Sequence, residues 1–266
     1  MPLVDDHPRR LHSRRRVLTG LAACCLLPAY TRGASSPLIA AAASWRPPLE
    51  EIVRLFESTS GQRVRVSYGA TGNLVRQIEA GAPFEVFLAA DEASVNRLET
   101  AGLTDGPGRV LARGEIVFAV AKSSSLALDD ALAGLRAAAA AGAIRRLAIA
   151  NPELAPYGRA AREALQKAGI WEELQTRIAL AENIGQAAQF VASGAADAGF
   201  IAKSSAVTAE LRDVLRWTAV RGDWYQPINQ RMAVLKTASA GGRAFAAFLG
   251  SPQAREVLER SGFTVP

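Results

Sequence analysis

The stretch from Leu38 to Phe56 reads LIAAAASWRPPLEEIVRLF and contains a strand, a junction of small residues and the start of a helix. The run from Leu38 to Ala43 is apolar without interruption, as is typical of a strand that is buried on both faces. Apolar residues then recur at helical spacing, at Leu49, Ile52, Val53 and Phe56. Ser60-Gly61 ends this helix, so the stretch predicts a strand–junction–helix unit.

The same unit recurs along the chain. Further strands are predicted at Val64–Ser67, Phe84–Ala89, Ile116–Ala121, Leu147–Ala150, Gly199–Ala202 and Met232–Leu235. They alternate with helical stretches, and one helix is expected over the Ala-rich segment from Leu126 to Ala141. This steady alternation predicts an α/β fold in which mostly parallel sheets are covered by helices.

Four strand-to-helix junctions are rich in small, hydroxyl or amide residues. They are Ala42-Ala43-Ser44-Trp45, Gly69-Ala70-Thr71-Gly72-Asn73, the segment from Asn151 to Gly158, and Glu182-Asn183-Ile184-Gly185. A helix N-terminus has unpaired N–H groups and a partial positive charge, so it can bind an anion without a formal cation. In an open α/β sheet such junctions lie at the carboxyl edge, where ligands bind. Ser44 and Thr71 can either cap their helices or bind a ligand.

The first 34 residues have the layout of an export signal. Arginines between Arg9 and Arg16 precede a mostly apolar stretch, Val17 to Tyr30, that is too short to span a membrane. The segment Ser13 to Leu18, SRRRVL, resembles a twin-arginine motif, and an ordinary Sec signal is the alternative. Leu21-Ala22-Ala23-Cys24 resembles a lipobox, which leaves a lipid anchor at Cys24 as a further alternative.

Removal of this leader narrows the chemistry of the chain. Both histidines, His7 and His12, and both cysteines, Cys24 and Cys25, lie within it. A disulfide, a Cys nucleophile, a His general base and the usual His/Cys zinc site are therefore excluded for the mature chain. The leader holds six of the 31 basic and two of the 25 acidic side chains, so the net charge falls from +6 to about +2. No basic stripe with interleaved aromatics occurs, which argues against nucleic-acid binding.

A series of short motifs resembles the periplasmic molybdate-binding proteins of ABC importers, which have the type II periplasmic binding-protein fold. The motifs occur in the order of that family, from about Pro37 to Phe263. They are Ala41-Ala42-Ala43-Ser44, Gly69-Ala70-Thr71-Gly72, the segment from Gln77 to Phe84, Ala89-Ala90-Asp91-Glu92, Asn151-Pro152 with Ala155-Pro156-Tyr157-Gly158, Glu182-Asn183-Ile184, and Gly199-Phe200-Ile201-Ala202.

The resemblance implies two lobes, each a mostly parallel sheet flanked by helices, joined by two crossover strands. We expect a signal peptide over residues 1–34, lobe 1 over 35–120 and 225–266, and lobe 2 over 121–224, with crossings near Ile116–Lys122 and Gln226–Leu235. It further implies an exported, monomeric binding protein that is not an enzyme and needs no cofactor. A permease of an ABC importer in the inner membrane is the implied partner.

The family's ligand groups are hydroxyls and backbone amides. The resemblance places Ser44, with Ala43 beside it, on the first position and Thr71 on the second. It places the amide of Tyr157 on the third and that of Ile184 on the fourth. Ala43 departs from the family because it lacks a hydroxyl, and Ala202 stands where some members have a tyrosine ligand.

Donor-only coordination favours a fully deprotonated dianion such as molybdate or tungstate. Hydrogen phosphate would need an acceptor for its proton, and a mismatched buried polar group is costly. Binding of sulfate or phosphate remains an alternative. Iron is another, although iron sites in this fold need clustered tyrosines and only Tyr68, Tyr157 and Tyr225 follow the leader. An enzyme on the same scaffold is the third, but the chain has no P-loop.

Overall fold

Ten strands form two five-stranded sheets in the computed structural model, which describes residues 36–266. The strands are β1 (Leu38–Ala42), β2 (Arg65–Gly69), β3 (Val86–Ala89), β4 (Arg109–Gly114), β5 (Ile116–Ala121), β6 (Leu147–Ala150), β7 (Ile178–Ala181), β8 (Ala198–Ala202), β9 (Leu215–Ala219) and β10 (Ile228–Val234). The sheet orders are β2-β1-β3-β10-β4 and β7-β6-β8-β5-β9. The leader predicted over residues 1–34 lies outside the described residues.

Helices connect and cover these strands. They are α1 (Arg46–Ser60), α2 (Thr71–Glu79), α3 (Glu92–Thr100), α4 (Ala133–Ala140), α5 (Pro156–Lys167), α6 (Trp171–Leu174), α7 (Ile184–Ala192), α8 (Lys203–Ala206), α9 (Ala209–Val214), α10 (Ala240–Phe248) and α11 (Pro252–Arg260). Short 3-10 turns occupy Ala43–Trp45, Gln175–Arg177 and Gly222–Trp224. Within residues 36–266, no helix is both long and apolar enough to cross a membrane.

The two sheets have the same topology. In each, three parallel strands are followed by one antiparallel strand and then by a strand that again points in the first direction. The reversed strand is β10 in the first sheet and β5 in the second. Each is the first strand that the chain forms after it passes from the other sheet. The predicted two-lobed α/β fold with mostly parallel sheets is therefore confirmed.

The chain passes between the sheets at Glu115, between β4 and β5, and again over residues 220–227, between β9 and β10. The first crossing was predicted near Ile116–Lys122, but those residues form most of β5. This strand pairs with β8 and β9 and so lies inside the second sheet. A boundary at residue 120 would divide β5. Most of the crossing predicted at Gln226–Leu235 is likewise β10, which pairs with β3 and β4. Hereafter lobe 1 denotes residues 36–114 and 228–266, and lobe 2 denotes 116–219.

Helices cover both faces of the lobe 1 sheet. Leu74, Val75 and Ile78 of α2 pack with α3 residues against one face, together with Phe87 of β3. On the other face, apolar residues of α1, α10 and α11 are buried. Phe56 of α1 packs edge-on against an aromatic ring of α10. The continuous burial of β1 and β3 residues therefore follows from helices on two sides, as expected for largely parallel sheets.

The structure corrects the helix predicted over Leu126 to Ala141. Only α4 is helical, because the Asp129 carboxylate accepts the backbone N–H groups of Ala131, Ala133 and Gly134 at 2.8–3.1 Å. Leu132 adopts a left-handed conformation, with φ of 56°, immediately before the helix. The acidic side chain thus sets the helix start later than the Ala-rich composition indicated.

Candidate functional site

All four strand-to-helix junctions lie where lobe 1 meets lobe 2. The Gly72 N–H at the start of α2 donates to the Leu154 carbonyl of lobe 2 at 2.9 Å. The Ser204 hydroxyl of lobe 2 donates to the Ser44 carbonyl of lobe 1, also at 2.9 Å. At the start of α7, a Cβ on Gly185 would lie 3.7 Å from the Cβ of Ala43. In the sequence, each of these junctions follows a different strand. The fold brings the four junctions together at one interface.

Ser44 lies in the 3-10 turn that carries β1 into α1, and its side chain is fully buried. Its hydroxyl donates to the side-chain oxygen of Gln230 across 3.5 Å and does not cap a helix. Trp45 fixes the turn because its indole N–H donates to the Ala89 carbonyl at 3.4 Å and its ring stacks on Phe263 at 5.7 Å. Trp45 is thus a core residue, and it holds Ser44 in place.

Thr71 is the first residue of α2, and Ala70 occupies the capping position. The Thr71 side chain is 1% exposed, and its oxygen accepts the Ala90 N–H at 3.4 Å. Among the described residues, no oxygen accepts the Thr71 hydroxyl proton. Of the two roles open for Thr71, the capping role is not used, and the hydroxyl remains available as a donor.

On lobe 2 the predicted ligand groups are the backbone amides of two buried residues, Tyr157 and Ile184. Tyr157 follows Pro156 in the first turn of α5, and its ring is buried. Burial raises the pKa of the Tyr157 phenol well above its usual range, with hydrogen bonding to Ser44 acting in the opposite direction. Ile184 is the first residue of α7, and the Asn183 side chain caps that helix through the next two N–H groups.

The backbone N–H groups at these four positions share one property. Within residues 36–266, those of Ser44, Thr71, Tyr157 and Ile184 have no hydrogen-bond acceptor. Unpaired N–H groups at helix starts carry partial positive charge and favour anions. The same part of the chain holds no group of His, Cys, Asp or Glu residues suited to a metal ion. The backbone N–H groups are therefore a set of neutral donors that suits an anion.

Charged side chains near the site are engaged with one another across the interface. Arg159 of α5 pairs with Asp91, which also caps α3 by accepting the Ser94 N–H at 2.8 Å. Asn73 of lobe 1 donates to Glu182 of lobe 2 at 3.4 Å. Asp91 thus stands at the start of α3, and its carboxylate is committed to two structural partners.

The prediction from sequence missed one polar residue of this site, Gln230. It is fully buried in β10, where its side-chain amide lies between Ser44 and Tyr157. The available signal was its place on the strand, because Gln230 shares a strand face with Ile228 and Met232, which are both buried. A glutamine at such a position needs buried hydrogen-bond partners.

Comparisons with known proteins agree with this fold. Residues 37–264 match the family model described as bacterial extracellular solute-binding protein. The chain is 37% identical to the molybdate-binding protein ModA of Azotobacter vinelandii, over 92% of this chain and 93% of the relative. It is 35% identical to ModA of Rhodobacter capsulatus, over 88% and 90%. The solved periplasmic molybdate-binding protein of A. vinelandii superimposes with a TM-score of 0.79 at 30% identity, covering 87% of this chain and all of that one.

The fold, the donor site and these matches define a solute-binding protein of two lobes, and the chain belongs to the bacterial extracellular solute-binding protein family. The resemblance to the periplasmic molybdate-binding proteins of ABC importers, predicted from the sequence, is confirmed. These relatives are named as binding proteins, which agrees with the prediction that the chain is not an enzyme.

Proposed function

We propose that this protein binds molybdate, and also tungstate, between its two lobes and presents it to the permease of an ABC importer. The observation that carries the proposal is the cluster of four unpaired backbone N–H groups at one interlobe interface. The names of the relatives supply the choice of molybdate among the oxyanions.

Each lobe contributes one half of the proposed coordination. Lobe 1 supplies the amides of Ser44 and Thr71 and the hydroxyl of Thr71, because the Ser44 hydroxyl donates its single proton to Gln230. Ala43 adds only backbone and a methyl group. Lobe 2 supplies the amides of Tyr157 and Ile184. A tetrahedral dianion accepts hydrogen bonds at all four oxygens, so it can satisfy donors from both sides at once. Ligand that contacts both lobes favours their closed arrangement.

The donor set discriminates against protonated oxyanions. Hydrogen phosphate would place its O–H among groups that mainly donate, and an unmatched buried polar group costs about 1–3 kcal/mol. The nearby carboxylate of Asp91 is already occupied by Arg159 and the α3 amide. Sulfate is also a dianion without a proton, so discrimination against it depends on the size of the site. Sulfate is the second candidate ligand.

The proposal is tested by calorimetric titration of the purified mature protein with molybdate, tungstate, sulfate and phosphate under identical buffer conditions. We expect saturable binding of molybdate and tungstate and about 100-fold weaker binding of phosphate, since one mismatched hydrogen bond accounts for this factor. Sulfate should also bind more weakly, by an amount that depends on the size of the site. If only sulfate or phosphate produced heat of binding, the molybdate proposal would be refuted. The proposal of an oxyanion site between the lobes would still stand.

We infer that the protein reaches the periplasm through the leader over residues 1–34. The twin-arginine and Sec routes are separated by replacing Arg14-Arg15-Arg16 with lysines and measuring export, which only the twin-arginine route would lose. Intact mass of the mature protein distinguishes a lipidated Cys24 from a soluble N-terminus. We expect a monomer, which light scattering after gel filtration would measure.

A further inference from the structure

Gln230 joins the two lobes at the inner end of the site. Its side-chain oxygen lies 3.5 Å from the Ser44 hydroxyl of lobe 1, and its side-chain nitrogen lies 3.4 Å from the Tyr157 phenol of lobe 2. The nitrogen also lies 3.3 Å from the Ile228 carbonyl, which can only accept. This carbonyl fixes the orientation of the amide, so the oxygen must face Ser44.

The backbone around Gln230 is shaped to hold this contact. The ladder between β10 and β4 is irregular between Gln230 and Arg231, where Leu111 of β4 is the extra residue without a partner in β10. Gly114 pairs with Ile228, two residues before Gln230, and is the last residue of β4 before the chain crosses to lobe 2. A Cβ on Gly114 would lie 2.0 Å from the phenol oxygen of Tyr157 and 2.9 Å from the Gln230 nitrogen. The glycine therefore makes room for the pair beside the crossing.

We propose that Gln230 is a positioning residue for the oxyanion site, which links the Ser44 turn of lobe 1 to the N-terminus of α5 through the Tyr157 phenol. The role rests on the proposed function, since it concerns the same ligand groups. The backbone amide and the phenol of Tyr157 then have different roles. The backbone amide contacts the anion, and the phenol ties α5 to lobe 1.

The link acts on the closed arrangement of the lobes. Gln230 is fully buried and Tyr157 nearly so, so removal of either polar group takes a hydrogen-bond partner from the other away from water, although Gln230 keeps Ser44 and the Ile228 carbonyl. Opening of the lobes relieves that cost because water can reach the group. Loss of the link therefore shifts the equilibrium towards the open state, and the apparent affinity falls with the population of the closed state.

The test is a double-mutant cycle on molybdate affinity with Gln230→Met, Tyr157→Phe and the double variant. Methionine keeps the length of glutamine without its amide, and phenylalanine removes only the phenol oxygen. We expect each single change to weaken binding about tenfold and the double variant to be no weaker than the worse single variant, because all three remove one shared link. The matched control is Gln166→Met, on an exposed position of α5, which should leave affinity unchanged.

Three results would overturn the role of Gln230. Unchanged or tighter binding by Gln230→Met would do so, as would effects of the two single changes that simply add. A loss of thermal stability without any change in affinity would reduce Gln230 to a core residue. Wild-type protein that binds none of the four oxyanions would overturn the proposed function and this role together, so the wild-type titration comes first.

Gly114→Ala provides a variant that keeps both polar groups. Its methyl group would push the phenol away from Gln230, while the φ angle of Gly114 lies outside the left-handed region and suits alanine. We expect a loss of affinity similar to that of Tyr157→Phe. Full affinity in Gly114→Ala would show that the contact does not serve the site.

Discussion

The two lobes have sheets with the same arrangement of strand directions, yet they present different chemistry to the interface between them. Lobe 1 contributes two buried hydroxyl residues, Ser44 and Thr71, each at a helix start without a side-chain cap. Lobe 2 contributes helix starts whose residues, Tyr157 and Ile184, can offer only their backbone N–H groups for this purpose. A shared topology thus provides the positions, and the residue after each strand decides what is donated.

This difference determines how each lobe can be tested. A hydroxyl is removed by a side-chain substitution, whereas a backbone N–H is removed only by proline. Proline is tolerated at the first position of a helix, where the N–H has no helical partner. The two halves of the proposed site can therefore be disabled separately, and the sizes of the effects compare them directly.

The largest effect is expected from lobe 2 with Ile184→Pro. Ile184 is the first residue of α7, and Asn183 before it has the extended conformation that precedes proline well. The substitution removes one charge-assisted donor and should weaken molybdate binding on the order of 100-fold, measured by calorimetry.

Two controls separate the amide from the side chain. Ile184→Ala keeps the N–H and removes the apolar bulk, so its affinity should stay much closer to that of the wild type. Ala240→Pro places proline at the first, exposed position of α10 and should not alter binding. Equal losses in Ile184→Pro and Ile184→Ala would assign the effect to packing.

A smaller effect is expected from lobe 1 with Thr71→Ala. The Thr71 hydroxyl proton has no acceptor among the described residues, so its removal costs one hydrogen bond to the anion. We expect about tenfold weaker binding and an unchanged fold. Thr71→Ser keeps the hydroxyl and should retain most of the affinity. If Thr71→Ala bound molybdate as tightly as the wild type, Thr71 would be excluded from the site.

The ion pair between the lobes should have a still smaller effect. Asp91→Asn keeps the cap on α3 and removes the charge that pairs with Arg159. The side chains are 14% and 39% exposed, so the pair contributes at most about 1 kcal/mol to closure, or about fivefold in affinity. Arg162→Gln breaks an ion pair within lobe 2, with Glu153, and serves as the control. A larger effect in the control than in Asp91→Asn would contradict a role in closure.

The smallest effect is expected from pH. None of the proposed donors titrates near neutrality, and burial keeps the Tyr157 phenol protonated, so affinity should be constant from about pH 7 to about pH 9. Above about pH 10 the unfolded phenol ionises while the folded one retains its proton, so the free energy of unfolding should fall as pH rises. Tyr157→Phe should weaken this alkaline loss. A steep change of affinity below pH 9 would reveal a titrating group in the site.

The predicted fold was accurate for buried strands and incomplete at sheet edges. Three strands were not predicted from the sequence: β4, β7 and β9. Each of them lies at the edge of its sheet. Edge strands are partly exposed, as Leu180 of β7 shows at 54%, so their sequences lack the continuous apolar run that marks β1 or β5. The predicted boundary at residue 120 has the same origin, because an apolar strand does not reveal the sheet in which it pairs.

The sequence by itself determined the strand–junction–helix units, the absence of His and Cys after the leader, and the four positions at which helix starts offer donors. Those features are local, since each depends on residues within one turn or one strand. Only the tertiary structure decided that Thr71 does not cap its helix, that Asp91 pairs across the lobes, and that Gln230 joins Ser44 to Tyr157. These contacts join residues from about 70 to 190 positions apart. Such partners are set by how the two sheets pack, which the spacing of residues along the chain does not encode.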